Sequence, residues 1–208
     1  MSGSGSPELR WAEIIAVGTE LLVPPRLDTN SLFLTGKLNE LGIEVRAKHI
    51  VGDRRSDLEA ALREALDRTS LVLLCGGLGP TDDDLTRDAV ASVLDRPLAE
   101  DADVLLHIRR RFEARGARMA DINRRQALVP RGADVIANPM GTAPGLWIQH
   151  GDRIVLLLPG PPSELKPMFE RVVEDRLAPL AGAARLHRRV LFNSGRTESE
   201  VDELAAPI

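Results

Sequence analysis

An α/β fold is predicted, with a parallel sheet covered by helices on both faces. Three observations predict it. Continuous apolar runs such as Ala12–Gly18 and Ser70–Cys75 lack a polar face, as strands buried on both sides require. Between them lie longer stretches whose apolar residues recur at helical spacing. The two kinds of segment alternate, strand then helix, three times in the first half of the chain, which is the βαβ pattern.

The elements follow in order. "AEIIAVG" (Ala12–Gly18) is a buried strand closed by glycine. Asn30–Gly42 is a helix with Leu32, Phe33, Leu38 and Leu41 at helical spacing; Asn30 can cap its start and Gly42 can end it. Ile43–Val51 alternates in part and reads as strand. Arg55–Thr69 is a helix capped by Ser56 or Asp57, and Ser70–Cys75 is the third strand. Thr81–Asp95, Asp101–Gly116 and Ala120–Val129 read as helices. Strands follow at Val135, Gly145–Gln149 and Arg153–Leu158, the last two joined by a turn at His150–Asp152. Pro162–Leu177 is a helix, Arg188–Gly195 a last strand, and "ESEVDELAAP" the start of another helix. Three segments are expected: a flexible tail over 1–11, one domain over 12–180, and a connecting stretch over 181–208.

Composition narrows the function. A net charge of -4 and aromatic content of 3% argue against a nucleic-acid partner and against a base-stacking platform. No apolar run is long enough to span a membrane, so no membrane partner is expected. The single cysteine, Cys75, excludes an intrachain disulfide and fits a reducing, cytoplasmic setting. His49, His107, His150 and His187 show no metal spacing. The basic stretch from His107 to Arg118 reads as a solvated helix face.

The chemistry concentrates at the ends of strands. "GGLGPTDDDLT" follows the third strand and opens a helix. Gly76, Gly77 and Gly79 permit a tight bend and close approach of an anion to backbone N–H groups. A side chain at Gly77 is expected to fill space a phosphate needs. The loop is neither a P-loop nor a dinucleotide fingerprint, since it lacks the Gly-Lys-Ser/Thr ending and the third spaced glycine. Three aspartates beside a phosphate loop make sense if a cation intervenes: Mg²⁺ held by Asp83 or Asp84 can bridge to a pyrophosphate. Otherwise they are caps. "LPGPPSELKPMF" repeats the arrangement, with Gly160, Pro161, Pro162, Ser163 and Glu164 between a strand and a helix. Both loops are expected at one carboxyl edge of the sheet. Glu20, Asp28 and Asp53 lie near the ends of other strands.

Taken in order, "AEIIAVGTELL", "DTN", "VGD", "GGLGPTDDDLT", "NRRQA", "GTAPG" and "LLPGPPSELKPMF" resemble the N-terminal domain of the competence/damage-inducible protein A (CinA) family, within the wider MogA/MoaB-like molybdopterin-binding fold. The resemblance implies a three-layer α/β/α sandwich with a mostly parallel sheet. It also implies a divalent-metal-dependent ADP-ribose pyrophosphatase, with Mg or Co as the ion and potassium as a further candidate. It places Gly76, Gly77, Gly79, Thr81, Asp83 and Asp84 in the phosphate and metal loop. Asn123 and Gln126 of "NRRQA", Gly141 of "GTAPG", and Gly160, Pro161, Ser163 and Glu164 fall near the site. Glu20, Asp28, Asn30 and Asp53 fall at the cleft edge. Family members commonly carry glycine where Pro24 or Pro25 stands. Prolines there fix φ and remove donors, which alters that loop. Many members carry a C-terminal nicotinamide mononucleotide amidase domain; "NSGRTESEVDELAAPI" resembles the start of a connection to one, and amidase activity is not expected of these residues.

The implied reaction is hydrolysis of ADP-ribose to AMP and ribose 5-phosphate, with a metal on Asp83 and Asp84 and with Glu164 or Asp53 orienting water. No Nudix box is present. Two alternatives stand beside it: a module that binds molybdopterin or transfers an adenylyl group to it, and a non-catalytic scaffold for an amidase. The expected partner is a nucleotide or pterin ligand, and the expected assembly is a homo-oligomer, in first place a dimer.

Overall fold

The computed structural model describes residues 9–182, 192 and 194–206. Its main sheet contains β1 (Trp11–Val17), β2 (Glu44–Val51), β3 (Leu71–Cys75), β6 (Asp134–Ile136), β7 (Gly145–His150) and β8 (Arg153–Leu158). Their spatial order is β2-β1-β3-β8-β7-β6. The first four in that order are parallel, and β7 and β6 are antiparallel to their neighbours. A separate two-stranded ribbon pairs β4 (Leu98–Glu100) with β5 (Leu128–Pro130).

Side-chain alternation along the central strands creates two cores. Ile15, Val17, Val72, Leu74, Val155 and Leu157 face one side, where they meet α2 (Arg55–Arg68), α3 (Thr86–Val93) and α4 (Ala102–Ala114) through Leu62, Val90 and Ile108. Ile14, Leu71, Leu73 and Leu156 face the other, against Leu34 and Leu38 of α1 (Thr29–Glu40) and Leu165 and Phe169 of α5 (Pro162–Val172). The result is a three-layer α/β/α sandwich. Each leucine fully withdrawn from water in this way contributes about 1.5–3 kcal/mol, which is why the central strands tolerate no polar face. A last helix, α6 (Glu198–Ala205), opens with a capping box from Thr197 and Glu200.

Several elements differ from the sequence expectation. The helix expected from Thr81 begins at Thr86, because the aspartates are folded into the preceding loop. Ala120–Val129 is a 3-10 segment (Asp121–Ala127) followed by β5, not an α-helix. In α1 the inward residues are Leu34 and Leu38, whereas Leu32 is exposed. The tail expected over 1–11 gives way to the fold at Leu9, which is buried and bridges Ala181; Trp11 already belongs to β1. The strand expected at Arg188–Gly195 lies largely outside the described residues.

Among the described residues one buried charge sits in a strand. Glu13 of β1 is 1% exposed and accepts two hydrogen bonds of 2.8 Å from the Arg68 guanidinium at the end of α2, with His49 at 3.1 Å. Arg68 holds its carboxyl below the ordinary range, against the opposing effect of burial. Because the folded pKa is depressed, this stabilisation is complete above the unfolded value of 4.5 and is lost as pH falls through the lower folded value. Glu13→Gln is therefore expected to cost about 1–3 kcal/mol at neutral pH. It should also flatten the loss of stability below pH 4.5. Urea unfolding across a pH series checks this; an unchanged acid slope contradicts it.

Candidate functional site

Parallel strands direct their carboxyl ends to one edge, and three of them, β1, β3 and β8, end beside a cleft of about 540 Å³. The glycine loop after β3 and the Gly-Pro loop after β8 meet there because their strands are neighbours, Cys75 opposite Leu158. A side-chain carbon at Gly160 would stand 3.5 Å from the Gly76 Cα, so the two backbones pass in contact. Asn30, in the first turn of α1, joins them by donating from its side-chain nitrogen to the Gly160 carbonyl at 2.7 Å.

The glycines serve the loop's own packing first. Gly76 has φ 102° and lies against the Val17 carbonyl, with no room for a β-carbon. A β-carbon at Gly77 would strike the Thr86 hydroxyl, not the cleft, so the expectation that this position reserves space for phosphate is corrected: its side chain would point into the protein. Thr86 in turn donates to the Gly76 carbonyl at 2.8 Å. Beneath the loop the Arg87 guanidinium, 3% exposed, donates to the carbonyls of Leu78 (2.5 Å) and Gly79 (2.8 Å). Burial pulls its pKa down to about 10, which leaves it charged at neutral pH. With these carbonyls turned toward Arg87, the N–H groups of Gly77 and Leu78 have no acceptor among the described residues. That is the polarity an anion needs.

The three aspartates do three different things. Asp82, almost fully exposed, pairs with Arg125 at 2.6 Å and ties the 3-10 segment Asp121–Ala127 to the loop. Asp84 folds the loop: it accepts from the Gly79 N–H at 2.7 Å, the Thr81 N–H at 2.9 Å and the Thr81 hydroxyl at 2.5 Å. Asp83 is exposed and lines the cleft.

On the facing side, Glu164 in the first turn of α5 accepts at Oε2 from the Asn138 side chain at 2.7 Å. Asn138, 1% exposed, also donates to the Ala143 carbonyl and accepts from the N–H groups of Met140 and Gly141. Gly141 has no space for a side chain because the Glu164 carboxylate occupies it. Arg111 holds the same turn through the carbonyls of Pro139 and Met140, so one arginine of the basic helix is structural and not merely solvated. At the cleft edge Asp53 accepts from the Thr19 N–H while its own N–H donates to the Thr19 hydroxyl, both at 3.0 Å. Asp28 caps α1 through the Ser31 N–H. The Glu20 carboxylate folds back against Gly18.

Of the residues singled out from the sequence, Glu20, Asp28, Asn30, Asp53, Gly76, Gly77, Gly79, Asp83, Asp84, Gln126, Gly160, Pro161 and Glu164 line the cleft. Thr81, Asn123, Gly141 and Ser163 do not: Thr81 bonds to Asp84, Gly141 backs Glu164, and Ser163 and Asn123 lie outside the lining. Arg87 and Asn138 escaped the sequence reading. An arginine inside a helical pattern and an asparagine in a loop carry no signal that distinguishes them from solvated residues. Cys75 also lines the cleft, but burial pushes its thiol up to about 12, so it is no thiolate nucleophile.

The cleft is acid-rich. Glu20, Asp28, Asp53, Asp83, Asp84 and Glu164 line it against the guanidinium of Arg26. Among the described residues no group of three or more His, Cys, Asp or Glu is arranged as a metal cage. A hard ion that keeps waters and takes phosphate oxygens needs only one or two protein carboxylates. Asp83 fits that role. Asp84, with both oxygens already engaged by loop donors, fits it less well.

The comparisons with known proteins agree with this architecture. The family described as "Probable molybdopterin binding domain" matches residues 13–179. A CinA-like protein of Solibacter usitatus is 47% identical over 197 residues, covering 95% of this chain and 47% of the relative. A putative competence-damage inducible protein of Symbiobacterium thermophilum is 50% identical over 191 residues, covering 90% of this chain and 45% of the relative. The chain thus spans about half the length of the curated relatives it matches. The crystal structure of CinA from Thermoplasma acidophilum superposes with a TM-score of 0.75 at 32% identity, over 82% of this chain and 99% of that one. MoaB from Thermus thermophilus, a molybdopterin biosynthesis enzyme, gives 0.55 at 25% identity, over 82% and 94%. With the profile spanning nearly all of the sandwich and a CinA structure matched end to end, this chain belongs to the molybdopterin-binding domain family, among its CinA-like members.

Proposed function

We propose that the cleft hydrolyses a nucleotide phosphoanhydride, with ADP-ribose giving AMP and ribose 5-phosphate. The observation that carries this reading is the meeting of the two strand-end loops: N–H groups of Gly77 and Leu78 without an acceptor among the described residues on one side, Asp83 and Glu164 within the same cleft on the other. A pyrophosphate laid along the glycine loop places its charge against those N–H groups and the buried Arg87 below. A divalent ion, held by Asp83 and by phosphate oxygens, would offset charge in this acid-rich cleft and polarise the anhydride. Asn138 occupies Glu164 Oε2 and thereby leaves Oε1 to accept a proton from water. The water oxygen bonds to one phosphorus, the bridging P–O bond breaks, and the bridging oxygen leaves with the other phosphate. Asp53, bound in its reciprocal clamp with Thr19, is the weaker candidate for orienting water.

The test is incubation with ADP-ribose and a panel of divalent ions, Mg and Co included, with AMP as the readout. Asp83→Asn is expected to raise the metal concentration for half-maximal turnover about tenfold, as loss of one charged ligand implies, with an unchanged melting temperature. No AMP with any ion would defeat the proposal. A second reading, a module that holds a molybdopterin-type ligand or transfers adenylyl to it, is favoured by the family's description and by the likeness to MoaB. Pterin fluorescence of the purified protein without release of AMP would select it.

A further inference from the structure

Gln126 is 3% exposed and lines the cleft. Its Oε1 is buried and meets no donor among the described residues. An acceptor left in that state costs about 1–3 kcal/mol, and an apolar side chain of the same shape would avoid the penalty. An ion pair nevertheless ties the segment that carries it to the glycine loop: Arg125, its chain neighbour, pairs with Asp82 at 2.6 Å, and the 3-10 segment ends one residue beyond Gln126, at Ala127. A carboxamide offers a donor and an acceptor side by side. A glutamine or asparagine pairs in this way with the adjacent donor and acceptor on a nitrogen heterocycle, as with the amino group and ring nitrogen of adenine.

We infer that Gln126 is the residue that reads the heterocycle of the bound ligand, pairing its carboxamide with an adjacent donor–acceptor edge while the glycine loop holds the phosphate. The assignment rests on the reading of the cleft as a nucleotide site and adds to it the part of the ligand that confers selectivity. Adenine and pterin rings both carry such an edge, so the chemistry is shared and the ligand series separates them.

The experiment is calorimetric titration of the full chain with AMP, with purine riboside 5′-monophosphate, which lacks the amino group, and with neopterin monophosphate. The wild-type protein is expected to bind AMP about tenfold more tightly than the deamino analogue, because the analogue leaves the buried carboxamide oxygen unpaired. Gln126→Met should bind both alike and about tenfold more weakly than wild type binds AMP. Without ligand it should melt at or above the wild-type temperature, because it removes an unpaired buried oxygen. Gln126→Glu, which keeps size but loses the donor, should weaken AMP similarly. Tighter binding of neopterin monophosphate that depends on Gln126 supports the inference and assigns the edge to a pterin, at the expense of the hydrolase reading. Equal affinity of wild type for AMP and its deamino analogue, with no preference for the pterin, overturns it. So does a melting temperature for Gln126→Met several degrees below wild type, which makes the residue structural. Binding of none of the three overturns both this inference and the nucleotide reading on which it rests.

Discussion

Alanine in place of Gly76 is expected to cost about 3 kcal/mol or more of folding stability, the largest loss from any single change in the cleft. Two effects add. The residue holds φ 102°, where a side chain is strained, and its β-carbon would overlap the Val17 carbonyl at the end of the adjacent strand. That obstacle is backbone, so no rotamer change relieves it. Gly116 provides the comparison: it also has positive φ, 63°, but nothing within 4 Å of its β-carbon position. Gly116→Ala should therefore cost only the conformational part, about 1 kcal/mol. Urea midpoints of the two variants measure the difference. Equal losses would mean that β1 and the loop separate readily and that the cleft is softer than its packing indicates.

Glu164→Gln is expected to lower turnover of ADP-ribose by about 10²–10⁴, the usual contribution of a positioned general base. The glutamine carbonyl can still accept from Asn138, so the geometry of the turn at Gly141 is retained and affinity for AMP should change little. Loss of turnover with preserved binding is what separates a proton acceptor from a packing residue. Wild-type turnover in this variant removes Glu164 from the chemistry.

The sandwich was legible in the sequence because its strands are buried on both faces. "AEIIAV" and "LVLLC" have no alternative to the sheet interior, and alternation within them sends Ile14 and Ile15 to opposite cores. The ribbon of β4 and β5 was not legible: three residues are too few for a period to show. The same holds for the start of α3. Thr81, Asp82 and Asp84 are favourable helix openers, and it is the bend of the glycine loop, with its Gly79 and Thr81 N–H groups turned to Asp84 and its carbonyls to Arg87, that makes Asp84 fold the loop instead. At the site, residue type revealed the two loops and the acids, since glycine, proline and aspartate are rarely clustered without cause. It assigned the wrong reason to Gly77, and it named Asp83 and Asp84 together for the metal where the structure gives them different partners. Asn138 was invisible because its importance lies in four partners that the chain brings together only by folding.

The bond from Asn30 to the Gly160 carbonyl spans 130 residues. Closing so long a loop is entropically unfavourable and is offset only when β1, β3 and β8 have aligned. A chain still being made therefore lacks the Gly160 and Glu164 side of the cleft until the segment after β8 has emerged. A ligand that needs both loops would act on the finished molecule alone. It deepens the native well by mass action and slows escape from it, while the rate of arrival is left to the apolar strands.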